Sequence, residues 1–151
     1  MRYLLLLIPI LVGMGVVVQA GANTQLRYVL QNPFLAGLIS LTVATLTLIL
    51  INLLLRTDFS VLSTQNIQRT QWWMWTGGLV GASFILSVVL VAPEIGPTRL
   101  FSLIIASQLI FSLVVDHYGW MGFAEQPITL KQLAGVTLLV VGAFLVQAEP
   151  G

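Results

Sequence analysis

The chain has 151 residues, of which 58% are apolar and 7% are charged. Soluble domains carry roughly 25% charged residues, so this chain cannot cover itself with a water-facing surface, and we infer that a lipid bilayer surrounds most of it. The lack of cysteine excludes disulfides and thiolate metal sites. A net charge of +1 without a basic run gives no field that would attract nucleic acid.

Five apolar segments follow one another along the chain, each near the roughly 20 residues that a membrane-spanning helix needs. We place them at about Leu4–Gly21, Pro33–Leu55, Trp72–Ala92, Thr98–Tyr118 and Lys131–Gln147. They lack the alternation of barrel strands, and helices are then the remaining way to satisfy the backbone in lipid. The sequence therefore predicts an all-α integral membrane protein, with residues 1–151 forming a single five-helix membrane domain.

The first segment ends in "VVVQAGANTQL" (Val16–Leu26), whose small residues resemble a signal-peptidase site. Four further spans follow instead of an exported domain, so we interpret this segment as a retained first helix. Gln19 and Asn23 are four residues apart and share a helix face. One interpretation makes them the wall of a substrate cavity, and the other makes them a polar helix end at the membrane interface.

The second segment carries hydroxyl side chains that fall on several helix faces. They are Ser40, Thr42, Thr45 and Thr47. We expect most of them to donate hydrogen bonds to carbonyls of their own helix. The long break that follows, Arg56–Gln71, has room for a short interfacial helix.

The third segment opens with "QWWMWTGGLVGAS", a run of aromatic and small residues. Its tryptophans are typical of an aromatic belt at a membrane interface, and Trp73 is also a candidate substrate contact at one mouth of the cavity. On a continuous helix Trp73 aligns with Gly77 and Gly81. These two glycines form a G-x-x-x-G pair, which permits close helix packing. Gly135 and Gly142 on the fifth segment indicate a similar interface, within the chain or between subunits.

The fourth segment carries Gln108, Ser112 and Asp116, which are spaced four apart and form one polar stripe. Counting from Arg99, Gln108 lies about 13 Å deep at 1.5 Å per residue, near the bilayer centre, and Asp116 lies about 25 Å deep. Gln108 either faces substrate in a polar cavity or forms an interhelical hydrogen bond. Ser112 can instead bond to its own helix backbone, although it also belongs to the candidate substrate lining.

Asp116 and His117 are adjacent, so their side chains point about 100° apart on a helix. Asp116 is a candidate for proton coupling and His117 a second one, although at the boundary of the span water can relieve both. One histidine cannot build a multi-histidine metal site, so we expect neither a metal nor another cofactor. The sequence lacks H-E-x-x-H and G-x-S-x-G motifs, which argues against an enzyme.

Basic residues give a weak orientation signal. Arg2, Arg56, Arg69 and Lys131 fall on the amino-terminal side of the membrane, and Arg27 and Arg99 fall on the opposite side. Basic residues favour the cytoplasm, so we predict a cytoplasmic amino terminus. Because the bias is small, insertion in both orientations stays open.

Several motifs make the chain resemble a known family. They are "QAGANTQL", "WWMWTGGLVGA", "AP-x-x-G", "ASQLIFSLVVDHYGW" and "LAGVTLLVVGAFLV". In this order, over nearly the whole chain, they resemble the YdcZ-like short proteins of the drug/metabolite transporter (DMT) superfamily. The resemblance implies one half of a ten-helix inverted-repeat transporter in a bacterial inner membrane. It further implies an antiparallel homodimer, or a heterodimer with a related short chain, and a cavity near the membrane midplane.

One departure limits what the resemblance implies. The small multidrug resistance relatives use a first-helix glutamate for proton exchange, and the first segment here has no carboxylate. We therefore predict a transporter that moves a small uncharged or amphipathic metabolite by alternating access. Two alternatives stay open: a non-transporting membrane subunit of a larger complex, and a flippase for lipids or lipid-linked precursors.

Overall fold

The computed structural model describes the backbone of residues 2–148 and the side chains of residues 7–148. Six α-helices form this part of the chain. They are α1 (Arg2–Leu30), α2 (Pro33–Leu54), α3 (Thr64–Gln68), α4 (Thr76–Ile95), α5 (Pro97–Tyr118) and α6 (Leu130–Ala148). No strand occurs between residues 2 and 148, so the predicted all-α class is confirmed.

Five stretches are long and apolar enough to cross a membrane, as the sequence predicted. They are Leu7–Leu30, Pro33–Leu54, Trp72–Ile95, Pro97–Tyr118 and Leu130–Ala148. In the most apolar window of these spans, at most 22% of the residues are buried within the chain. Most of each helix surface is therefore left for lipid or for another chain to cover.

The first helix ends at Leu30, well beyond the predicted Gly21. Its small and uncharged polar residues keep helical geometry, and the break comes where Gln31 takes a left-handed φ of 54°. Asn32 then caps α2, because its side-chain oxygen accepts hydrogen bonds from the amides of Phe34 (2.9 Å) and Leu35 (3.1 Å). This longer helix places Gln19 near the middle of the Leu7–Leu30 span instead of at its end.

The loop between the second and third spans contains the predicted short helix, α3, which Ser63 caps. A single 3₁₀ turn, Phe59–Val61, precedes it. Asp58 caps that turn by accepting a hydrogen bond from the Ser60 amide at 2.9 Å and another from the Ser60 hydroxyl at 2.8 Å. These two bonds lower the pKa of the Asp58 carboxyl, the backbone bond having the larger effect.

The described structure divides into two compact units, and residues up to Pro93 form the first. Its core is Ala36, Ile85 and Val89, against which Leu26, Leu41 and Phe84 pack. Gly37 allows α2 to approach α4 closely, because a methyl group at that position would come within 3.1 Å of the Leu86 Cδ2 atom. The first unit is thus held together by apolar contacts among α1, α2 and α4.

The second unit runs from Glu94 to the end of the chain, and α5 and α6 pack against each other within it. The Gln147 amide of α6 donates to the Arg99 carbonyl (3.2 Å) and the Ser102 hydroxyl (3.1 Å) at the start of α5. Because the end of one helix meets the start of the other, the pair is antiparallel. Gly119 ends α5 in a left-handed conformation, φ 60°.

Candidate functional site

One face of α1 is enclosed by the rest of the chain, and it carries the polar side chains of Asn23 and Arg27. Ala20 is 3% exposed, Asn23 is 6% exposed, and Arg27 is half-buried. Their spacing of three and four residues places them on one helix face. Gln19 lies at the flank of this face and is exposed in the single chain. The two amides that the sequence placed together thus differ in burial, because the enclosed face is narrow.

Asn23 is a buried polar side chain within the hydrophobic span of α1. No hydrogen bond joins its amide to any other side chain or backbone group among residues 7–148. In hydrocarbon an unsatisfied amide costs several kcal/mol. The fully buried side-chain atom without a hydrogen-bond partner among residues 7–148 is the His117 Nδ1 atom, so the Asn23 amide keeps some accessible surface and can bond to a group outside the chain.

Arg27 connects α1 to α4. Its Nη1 atom donates to the Val89 carbonyl at 2.8 Å and to the Leu90 carbonyl at 3.2 Å. In an α-helix the Val89 carbonyl would accept from residue 93, but Pro93 has no amide hydrogen. The guanidinium thus satisfies an acceptor that the proline leaves open, and hydrogen bonds to charged groups contribute about 1.5–3 kcal/mol each.

The polar stripe of α5 lies at the surface of the single chain. Gln108 is exposed and lies at the middle of the Pro97–Tyr118 span. Ser112 is also exposed, and its hydroxyl donates to the Leu109 carbonyl at 2.9 Å. The Ser112 hydroxyl is thus already bonded within its own helix. The hydroxyls of Thr42, Thr45 and Thr47 on α2 also donate to carbonyls of their own helix, which confirms the prediction for these three residues.

Asp116 and His117 are both half-buried at the end of α5. The Asp116 backbone carbonyl accepts from the Gln126 amide at 2.7 Å and helps to close the turn after the helix. The Nδ1 atom of His117 is buried and has no hydrogen-bond partner within the described residues, while its ring meets Tyr118 edge-on at 4.8 Å. No cluster of three or more metal-ligating side chains occurs among residues 7–148.

The tryptophans before the third span do not continue its helix. Trp72–Trp75 form a 3₁₀ turn, and α4 begins at Thr76. Because a 3₁₀ turn has three residues per turn, the assumed α-helical alignment of Trp73 with Gly77 and Gly81 does not hold. The Trp73 indole donates instead to the Gln71 side chain in the preceding loop.

The predicted packing glycines have open space at their Cβ positions among the described residues. A methyl group at Gly77, Gly81, Gly135 or Gly142 would meet no described atom within 4 Å. Gly142 also lines an apolar cavity of about 320 Å³ between α5 and α6. A close contact between helices is instead made at Gly37 in the first unit.

Comparison with known proteins assigns this architecture to a family. A family model described as "Putative inner membrane exporter, YdcZ" matches residues 4–145. The chain belongs to the YdcZ family of the DMT group. Among curated proteins, the "Inner membrane protein YdcZ" of Escherichia coli (strain K12) is 30% identical over 80 residues, which is 53% of this chain and 53% of that protein. No solved structure matches significantly.

Membership in the YdcZ family confirms the predicted resemblance and fixes the broad class of the protein. The family is described in the words "Putative inner membrane exporter", and the chain has five helices long and apolar enough to span a membrane. It is therefore a multi-pass inner-membrane protein of the YdcZ family. The match to the curated relative spans about half of that protein's length.

Sequence reasoning missed Arg27 as part of a membrane helix. It ended the first span at Gly21, and so it counted Arg27 only as a loop charge. Two signals in the sequence were available: Arg27 continues the spacing of Ala20 and Asn23, and Pro93 leaves the Val89 carbonyl open. Neither signal identifies the pairing of α1 with α4, which only the fold shows.

Proposed function

We propose that this chain is a subunit of an inner-membrane exporter for a small uncharged or amphipathic metabolite. Its family supports export, and its spans carry uncharged amides at membrane depth. The observation that carries the proposal is Asn23, a 6% exposed amide side chain within the first membrane span. An amide in this state is available to recognise a group that passes through the membrane.

Alternating access would use the exposed mid-span amides as well. Gln19 and Gln108 each lie near the middle of their own spans, and both are exposed in the single chain. A polar amide facing lipid at that depth is costly, so both favour a partner surface that encloses them. Gln19, Asn23 and Gln108 are accordingly our proposed substrate lining, with Ser112 and Trp73 at its edges and Asp116 or His117 as proton-coupling candidates.

A second copy of the chain is our proposed partner, inserted in the opposite orientation. The low burial of every span and the open faces at Gly77, Gly81 and Gly135 support an assembly larger than one chain. Two five-helix chains related by an axis in the membrane plane would together form the inverted repeat that transporters use. A related short chain could replace the second copy.

The transport proposal can be tested with the purified protein in proteoliposomes. Efflux is measured across a panel of radiolabelled metabolites, with Asn23→Leu and Gln108→Leu compared with the parent chain. Asn52→Leu is the matched control, because the Asn52 amide already donates to the Leu48 carbonyl of its own helix at 2.8 Å. We expect the first two variants to lose transport while Asn52→Leu keeps it. Folded Asn23→Leu and Gln108→Leu proteins with unchanged transport would disprove the proposed lining.

The apolar cavity between α5 and α6 supports lipid movement as a second candidate function. Its lining includes Ile105, Leu138 and Leu139 together with the small residues Ala106 and Gly142. A volume of about 320 Å³ with an apolar lining suits part of an acyl chain. Scrambling of fluorescent phospholipids in liposomes tests this function, and Gly142→Leu, which would fill the cavity, should then reduce the rate. Scrambling that equals that of protein-free liposomes would exclude it.

A further inference from the structure

The Arg27 contact described above joins two helices through a single side chain. The bond is partly buried and spans 62 residues of sequence, from α1 to the Val89 carbonyl. Val89 itself is fully buried in the core of the first unit. The contact thus fixes the position of α1 relative to the proline-containing end of α4.

Pro93 is the reason that the acceptor is available. A backbone carbonyl in an α-helix accepts from the amide four residues later, and for Val89 that residue is Pro93. Proline lacks the amide hydrogen, so the carbonyl must find another donor or remain unsatisfied.

A cavity beside Arg27 can hold the guanidinium when its contact with α4 breaks. A cavity of about 240 Å³ is lined by Arg27, Tyr28, Gln31 and Pro33. It lies where α1 gives way to α2, at the end of the first span. Long arginine side chains near helix ends readily turn toward the membrane interface.

We propose that the contact of Arg27 with α4 can be released, and we call this contact the latch. Pro93 makes its main acceptor, the Val89 carbonyl, available. In the latched state the guanidinium holds the Val89 and Leu90 carbonyls. In the released state it turns into the cavity beside Tyr28, and the buried face of α4 separates from α1. Since the backbone bonds of both helices persist, release needs no unfolding. The latch deepens the proposed transporter function by naming a helix contact that changes during the cycle.

The pairing of Arg27 with Pro93 is tested by a double-mutant cycle on thermal stability in detergent. Arg27→Gln should lower the melting temperature of the parent chain. In a Pro93→Ala background residue 93 regains an amide, Val89 gains an intrahelical donor, and Arg27→Gln should have a much smaller effect. Pro97→Ala is the matched control, because Pro97 is at the first turn of α5, where a missing amide costs no helical bond. Additive effects of Arg27→Gln and Pro93→Ala would overturn the pairing.

Release is tested by thiol labelling, which the cysteine-free chain permits. Ala92 is 5% exposed on the buried face of α4, so Ala92→Cys should react slowly with N-ethylmaleimide in proteoliposomes. Adding Arg27→Gln should raise the labelling rate several-fold, and adding Pro93→Ala as well should leave it raised, because the new amide satisfies the Val89 carbonyl without restoring the contact between α1 and α4. Leu62→Cys, in the exposed loop between α2 and α4, serves as the control and should label fast in every background. The same labelling rate at Ala92→Cys with and without Arg27→Gln would overturn the latch.

Neither measurement requires a substrate. Failure of the metabolite panel would therefore count against the transport proposal and leave the latch standing. Conversely, transport with an additive double-mutant cycle would count against the latch alone.

Discussion

Gly37 on α2 lies directly against Leu86 on α4, so closely that a methyl group at Gly37 would approach the Leu86 Cδ2 atom to 3.1 Å. The neighbouring Ile85 Cγ2 atom would be 3.8 Å away. Glycine is needed here for packing and not for an unusual backbone angle, since Gly37 is within a regular helix. The contact packs α2 against α4 within the first unit.

We therefore predict that Gly37→Val destabilises the protein. Overpacking of a filled site costs about 1–3 kcal/mol, because the added methyl groups must displace Leu86 and Ile85. Gly78→Val is the matched control: Gly78 is also helical, but a methyl group there meets no described atom within 4 Å. Thermal denaturation in detergent should show a lower midpoint for Gly37→Val than for Gly78→Val. Equal midpoints would mean that the α2–α4 contact is not tight.

The cap at Asn32 gives a second prediction, on the boundary between the first two spans. Its side chain accepts from two otherwise unpaired amides at the start of α2. Asn32→Ala should lower stability by about 0.5–2 kcal/mol, whereas Asn32→Asp should retain it, since a carboxylate also accepts at a helix start. Denaturation midpoints of the two variants measure this difference. Loss of stability in both would show that the amide nitrogen matters, and not the cap.

The contrast between α1 and the later spans shows what the sequence could predict. The second and fourth spans were placed within one residue at their starts, because Pro33 and Pro97 mark the first turns of α2 and α5. The end of α1 was wrong, because Gly21 and Asn23 are residues that often end helices but need not do so. Local sequence does not reveal whether a polar residue is enclosed by a distant helix.

In the candidate site, too, some features could be predicted from the sequence and others could not. The depth of Gln108 and the self-bonded Ser112 follow from helix geometry alone, so sequence could predict both. The burial of Asn23 and the bond from Arg27 to Val89 depend on which helices pack together. Those contacts join residues more than 60 positions apart in the case of Arg27, and periodicity carries no information on such pairs.

A third prediction concerns pH and the loop outside the spans. Hydrogen bonds from the Ser60 amide and hydroxyl favour the ionised form of Asp58 and lower its pKa from the ordinary 3.8. Its contribution to the turn is therefore complete above pH 3.8 and is lost as the pH falls through the lowered pKa.

Ser60→Ala distinguishes the effects of the two hydrogen bonds on the pKa of Asp58. It removes the hydroxyl but keeps the backbone amide, so the pKa of Asp58 should rise only part of the way back. Carbon-detected NMR titration of labelled aspartate in detergent measures this change. An unchanged titration midpoint would show that the hydroxyl bond does not act on Asp58.

A fourth prediction follows from the proposed antiparallel dimer. Leu62 lies in the exposed loop between α2 and α4, and the chain has no native cysteine. If both orientations are inserted, a membrane-impermeant maleimide should label Leu62→Cys from the outside in one fraction of molecules, and the remainder should react only after permeabilisation.

Charge should shift that distribution, because basic residues favour the cytoplasm. Gln65→Lys adds one positive charge to the same loop, within α3, and should reduce outside labelling of Leu62→Cys. Gln65→Asn changes the side chain without the charge and should leave the labelled fraction as it was. If the parent chain is already labelled from one side alone, two copies cannot form an antiparallel pair. The second half of the pathway would then have to come from a related chain, because the exposed amides at Gln19 and Gln108 would still need to be enclosed.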